Sequence, residues 1–249
     1  MSGGKKNFVK NLLATLFWLV VWHMLAVRWD NFLLLPTPLQ VLRRMGELAV
    51  TAQFWQIVAV SVGRILLGAL SAMALGVLLA VLTTASSVAE ALAAPAMTVI
   101  QATPVASFAI LVLLWMDRDL VPALICGMMV LPVVWNNVCA GIRSTDPQLL
   151  EMARVYRLPR LRILRRIYVP SVLPYFRAAC SASLGLGWKA GVAAEVLTVP
   201  KSSIGRMISE GKLYMLTEDL FVWTLTVVLL SLLLQKVMLY LVRGGERHA

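Results

Sequence analysis

Three ionisable residues lie inside otherwise apolar runs of this 249-residue chain: Arg64 in "SVGRILLG", Lys189 in "LGLGWKAG" and Glu195 in "AAEVL". A charge in the middle of a bilayer costs at least ~2.5–3.5 kcal/mol when unpaired. Each therefore needs a partner on another helix, or water. Lys189 and Glu195 are six residues apart, about 240° around a helix, so they cannot pair within one. Arg64 and Glu195 are the expected buried ion pair. Lys189 then faces a polar pathway and attracts an anion, with a structural partner or outward snorkelling as its competing role. Pro95, Pro104, Pro122 and Pro132 stand near Thr98, Gln101, Thr103, Ser107, Asn136 and Asn137. Proline frees backbone carbonyls, which in lipid must be buried or face a wet cavity. Thr98, Gln101, Thr103, Asn136 and Lys189 are the expected pathway lining, and hydrogen bonding between helices is the alternative use of the same groups.

Other chemistry finds little support. There is no His-Glu-x-x-His, no Gly-x-Ser-x-Gly and no pair of intramembrane aspartates. Gly205…Gly211-Lys212 has five residues between its glycines and Leu213 where a phosphate loop needs a hydroxyl. Cys126, Cys139 and Cys180 lack disulfide or zinc spacing and read as small apolar fillers. His23 and His248 do not suggest a metal site. No catalytic residue, metal or cofactor of its own is expected for this chain.

The elements that must position these groups are long and apolar. The chain is 60% hydrophobic and 14% charged, far less charged than a soluble domain of this size. Six spans are expected, at about 9–28, 57–82, 92–115, 120–142, 171–198 and 219–242, each long enough for ~30 Å of hydrocarbon. We read an all-α, polytopic membrane protein, a single domain over 1–249. No small-x-small cleavage site follows the first run, so it does not read as a cleaved signal peptide. With the N-terminus inside, the inner segments hold twelve basic residues: Lys5, Lys6, Lys10, seven arginines from Arg143 to Arg166, Arg243 and Arg247. The outer segments hold seven: Arg28, Arg43, Arg44, Arg118, Lys201, Arg206 and Lys212. That asymmetry predicts cytoplasmic N- and C-termini. It also accounts for most of the net charge of +11, with no soluble basic face for nucleic acid.

Gly68, Ala72, Gly76 and Ala80 form one stripe of small residues, and Ala179, Ser183, Gly187 and Gly191 another. Both predict close helix approach and a central place for spans two and five. Span six lacks Gly and Ala and should face lipid, with Trp223 and Tyr240 at the interfaces and Lys236 snorkelling. Residues 35–56 and 198–219 should form amphipathic or re-entrant segments on the outer side, packed over helix ends or touching a delivery protein.

Between spans four and five lies a basic insert, about 144–170. Asp146 is a good N-cap and Pro147 suits the first helical position. Leu149, Met152 or Ala153, and Tyr156 make an apolar stripe, Glu151 and Arg154 have i,i+3 pairing distance, and Leu158-Pro159 stops the helix. Then "RLRILRRIYV" begins a second amphipathic stretch. Anionic lipid explains the arginines, but not a capped, apolar-striped helix set off by a proline break.

This insert resembles the "EAA" loop of permease subunits in ATP-binding-cassette (ABC) importers. Glu151-Met152-Ala153 match the motif's start and Ile167-Tyr168-Val169-Pro170 its end. "LLPTPLQVL", "SVGRILLG", "AAPAMTVIQATPVASFAILVLLW", "GIRSTDPQLLEMA", "PSVLPYF" and "AAEVL…SSIGRMI" are similar to the branch that imports nitrate, sulfonates, taurine, bicarbonate or thiamine precursors. The resemblance covers roughly 34–210. It implies a type I ABC importer permease fold in the bacterial inner membrane. It also implies a likeness of assembly: two permease copies, as a homodimer, two separate ATPase subunits that bind ATP and Mg, and a solute-binding protein outside. The solute would be a small anion, or alternatively a neutral or cationic molecule such as a thiamine precursor. Carried over by motif, Glu151 and Ala153 shape the coupling helix, and Met152, Arg154, Tyr156, Arg157 and Leu158 contact the ATPase. The family's glycine falls at Arg157. Because a Cβ costs roughly 1–2 kcal/mol at positive φ, Arg157 is expected to stay helical, with the bend at Pro159. "LLWMDRD" lacks the family's Phe-Gly. Two rivals stand outside this reading: an ATP-independent secondary transporter, which would want inverted repeats, and an intramembrane enzyme.

Overall fold

The computed structural model describes residues 2–29 and 35–244. Asp30, Glu246, Arg247 and His248 lie outside the described residues, as do the side chains of Lys5, Lys6 and Arg243. Among the described residues the chain is helical, without strands. Three helices are long and apolar enough to cross a membrane: α3 (Ala52–Ala85), α6 (Val121–Arg143) and α11 (Thr217–Gly244). The pair α4 (Ser87–Ala102) and α5 (Val105–Val112) adds a fourth if it acts as one span. Helix α9 (Val169–Thr198) has the length but carries Arg177, Lys189 and Glu195. In α1 (Ser2–Trp29) the apolar part is the shorter stretch Leu13–Arg28.

The third expected span is not one kinked helix. It breaks between Ala102 and Val105, and its halves are bent by 103°. Pro104 lacks an N–H and pushes Thr103 out of the helical region, where the backbone is extended (ψ 123°). Elsewhere the punctuation is side-chain capping. Thr37 and Gln40 form a capping box that starts α2 (Pro38–Ala49), and Thr51 and Ser86 cap α3 and α4.

Neither small-residue stripe belongs to the central helix. That place is taken by α6, which packs along α3 on one side and α9 on the other. Gly68 lies against the backbone of Ala123 so closely that a Cβ has no room. On the other side Gly187 faces Cys126 and Val130. At Gly191, over Ile65, the α9 stripe also meets α3. The stripes are therefore two grooves for one helix, whose own buried residues are larger: Ile125, Val130, Val134, Trp135 and Val138.

Helix α11 departs from a lipid-facing rod. Trp223 is not an interfacial anchor. It is 4% exposed and stacks on Phe54 with ring centroids 4.9 Å apart. With Val222 and Thr226 it forms a buried face, while Leu229, Leu232, Leu233 and Val237 remain exposed. The Trp188 indole N–H donates to the Val227 carbonyl at 3.3 Å. Helix α2 buries Val41 and exposes Leu39 and Leu42. It is tied to α11 by Arg44, whose Nε and Nη2 both donate to Asp219, the second at 3.2 Å. That bidentate contact, with help from Glu47, raises the guanidinium pKa above its ordinary value.

Gly68→Val should destabilise the protein in detergent by an overpacking cost of about 1–3 kcal/mol, read as a lower unfolding temperature. Gly63→Ala, where nothing lies within 4 Å, should leave it unchanged or raise it.

Candidate functional site

Two constellations stand out, at opposite ends of the α6–α9 pair. The first is the hairpin between those helices. Asp146 accepts from the Gln148 N–H at 2.8 Å and Pro147 opens α7 (Pro147–Val155). The helix ends at Tyr156. There the Arg157 N–H donates to Arg154 O (3.0 Å) and the Leu158 N–H to Ala153 O (2.9 Å). These are the two bonds of a Schellman cap, and they require a left-handed residue. Arg157 supplies it, with φ +48°. The expectation that Arg157 stays helical is thus overturned. The paired carbonyls offset the Cβ cost, and Pro159 follows the bend rather than making it.

The rest of the hairpin is α8 (Arg160–Ile163) and a π-helical turn, Leu164–Tyr168, that runs straight into α9. Along α7 the apolar stripe divides. Ala153 is fully buried, while Leu149, Met152, Val155 and Tyr156 are exposed, Tyr156 by 73%. Glu151 and Arg154 form no ion pair. Of the seven arginines, only Arg143 has an acidic partner among the described residues, Glu90.

The second constellation centres on Glu195, whose side chain is fully buried. Ser61 Oγ donates to Glu195 Oε2 at 2.9 Å, the Gly205 N–H to the same oxygen at 3.2 Å, and Arg64 Nη1 to Oε1 at 3.1 Å. Ser61 Oγ in turn accepts from the Ile204 N–H at 2.8 Å. Ile204 and Gly205 open α10 (Ile204–Leu213), and Ser203 caps it by accepting from the Arg206 N–H at 3.1 Å. The free donors of the first turn of α10 are thus used, and a carboxylate sits at the positive end of its dipole. Gly205 is pressed onto the Glu195 backbone with no space for a Cβ. Arg64 also donates to Lys201 O at 3.2 Å and lies 3.6 Å from Asp119, which accepts from the Lys201 N–H at 2.8 Å. Val199 and Ser202, both at φ +48°, fold the connection back so that these contacts close.

The remaining polar positions are not drawn together by hydrogen bonds. Thr98 and Thr103 donate to carbonyls of their own helix, Ala94 and Val99. Gln101, Asn136 and Lys189 are exposed and have no side-chain partner among the described residues. Ser61, Asp119 and Gly205 escape a reading of the sequence, because what makes them matter is a loop folding back. The signal that was available is the pair Ser203 and Gly205 in "SSIGR", an N-cap followed by a residue without a side chain.

The comparisons with known proteins agree with one another. Residues 72–245 match the family described as binding-protein-dependent transport system inner membrane component. A Bacillus subtilis (strain 168) protein named for aliphatic sulfonates transport, the permease SsuC, is 26% identical over 88% of this chain and 80% of its own length. The taurine transport system permease protein TauC of Escherichia coli (strain K12) is 23% identical over 87% and 80%. The nitrate import permease protein NrtB of Leptolyngbya laminosa is 30% identical over 58% and 52%. Among solved structures, an amino acid ABC transporter crystallised with histidines superposes with a TM-score of 0.59, covering 76% of this chain and 90% of that one at 17% identity. That likeness is one of fold.

Removing one member of a buried ion pair strands the other and costs about 3–5 kcal/mol. Glu195→Ala and Arg64→Met should each lower stability in detergent by that order, read from unfolding midpoints. The double variant should lose clearly less than the sum, and additive losses would show that the two groups are not coupled.

Proposed function

This chain belongs to the family of binding-protein-dependent transport system inner membrane components, and from that premise we propose how it works as the permease subunit of an ABC importer. Two copies form the pathway through the inner membrane, with N- and C-termini in the cytoplasm and six crossings each. Two ATPase subunits, which hold ATP and Mg, dock on the cytoplasmic side, and a binding protein delivers solute outside.

The observation that carries this reading is α7. An apolar helix face made of Leu149, Met152 and Tyr156 is exposed on a short helix capped at both ends. A capped helix keeps its shape under load, and a chain without a nucleotide site needs such a lever. Met152, Tyr156 and Leu158 enter a groove on the ATPase, Arg154 and Arg157 form its charged rim, and Glu151 and buried Ala153 keep the docking helix in shape. Closure of the ATPases on ATP moves the two levers together, and the helices that flank them, α6 and α9, carry the displacement inward.

For the solute, a small anion is the reading best supported. The relatives are named for sulfonates, taurine and nitrate. Lys189 is an exposed cation inside α9 without a partner among the described residues, and Gln101 and Asn136 offer neutral hydrogen bonds. Thr98 and Thr103, already bonded to their own helix, would add a lesser polarity to the pathway.

In proteoliposomes, uptake should require the ATPase and ATP, and a cysteine at position 152 should crosslink to the ATPase. Uptake driven by an ion gradient with this chain alone would refute the reading. Lys189→Met should lower uptake of an anionic solute by about tenfold or more, the loss of one charge-assisted contact, and leave ATPase docking intact. Arg157→Gly should keep the left-handed bend, which glycine adopts readily, and weaken ATPase docking only by the loss of one rim charge, read from complex stability at low and high salt.

A further inference from the structure

Two cavities meet at the foot of the hairpin. The first, about 510 Å³, lies between the ends of α3 and α6 and the start of α9. Its walls are almost wholly apolar, among them Val77, Val81, Val138, Val172, Leu173 and Phe176. Thr84 also lines it, but its hydroxyl already donates to Ala80 O. The second, about 690 Å³, lies between α7 and α8, with Arg154 and Arg160 in its wall beside Leu150 and Leu161. Leu164 and Tyr168 line both, so the two lie side by side. These two residues are the first and last of the π-helical turn, a local widening of the helix that recurs at functional sites.

An apolar cavity beside a cationic one has the polarity of an anionic amphiphile. The stretch of α3 along the first cavity, Val77 to Ala85, measures about 12 Å, which takes the upper part of an extended acyl chain. The charge is complementary: Arg154, Arg157, Arg160, Arg162, Arg165 and Arg166 have no acidic partner among the described residues. A protein docked on the exposed face of α7 does not reach the first cavity, which lies between helices that cross the membrane. We propose that the two adjacent cavities bind one anionic phospholipid of the leaflet beside the hairpin. Its acyl chain lies between α3, α6 and α9, and its phosphate is held at Arg160. This rests on the hairpin standing at a membrane surface, as the permease reading has it, but not on which solute is carried.

The test uses the permease–ATPase complex in nanodiscs and a phosphatidylglycerol whose acyl chain carries a photoactivatable group. Labelling should fall on residues 77–85 and 169–176. Unlabelled phosphatidylglycerol should compete and phosphatidylcholine should not. Leu173→Trp, which fills the first cavity, should abolish labelling there. Arg160→Gln should reduce the preference for phosphatidylglycerol roughly fivefold. Equal labelling by a phosphatidylcholine probe, labelling indifferent to Leu173→Trp, or crosslinks from these residues to a second copy or to the ATPase would each overturn the proposal. The competition experiment on the unaltered complex decides the matter should Leu173→Trp not fold. Loss of ATP-driven uptake with labelling retained would count against the transport reading alone.

Discussion

A carboxylate removed entirely from solvent is the constraint around which one end of this molecule is arranged. Glu195 cannot remain charged in an apolar interior unless its oxygens are occupied, and four elements contribute to that. Helix α3 supplies Ser61 and Arg64, α10 supplies an N–H, α9 carries the carboxylate, and the turn before α6 adds Asp119 behind Arg64. Because the same atoms satisfy the first turn of α10, helix and ion pair depend on each other. Neither can be moved without exposing a polar group that has no other partner. The close contact at Gly205 follows directly: a hydrogen bond from backbone to carboxylate at 3.2 Å is possible only if no side chain stands between.

The hairpin end obeys a different logic. Its helix α7 is completed by its own caps, so it keeps its form without burying much of itself. What it needs from the rest is a stiff mounting, and the two helices that flank it provide one. Between α6 and α9 the side chains are small on one side and branched on the other, as at Gly187 against Cys126 and Val130. Interfaces packed at that density do not compress, and a displacement at one end shifts the whole helix.

Much of this was legible in the amino-acid order, and the failures have physical causes. Long apolar runs define α3, α6 and α11 because nothing else in a membrane can satisfy their backbones. Arg64 and Glu195 are legible because charges inside such runs are scarce and have few possible partners. Pro104 marks a break, but whether a proline kinks a helix or ends it depends on which neighbours accept the freed groups, and sequence does not show them. Arg157 misleads for a similar reason. The cost of its Cβ is local and visible, whereas the two cap bonds that outweigh it appear only once the chain has turned. Trp223 follows the habit of interfacial aromatics until Phe54, far away in sequence, offers a ring to stack on. The division of the α7 stripe, with Ala153 inside and Met152 outside, turns on where the next helix lies.

Helix α3 has a consequence of its own. Its 34 residues make a rod of about 51 Å, while a bilayer's hydrocarbon is only ~30 Å thick. The rod holds Ser61 and Arg64 near one end and Val77 and Val81 near the other, so a single rigid body joins the carboxylate cluster to the wall of the apolar cavity. A hydrophobic rod too long for its slab leans until the mismatch is absorbed. Packing along α6 sets the lean of α3, and because the rod is stiff, a change of lean shifts the carboxylate cluster and the cavity wall at once.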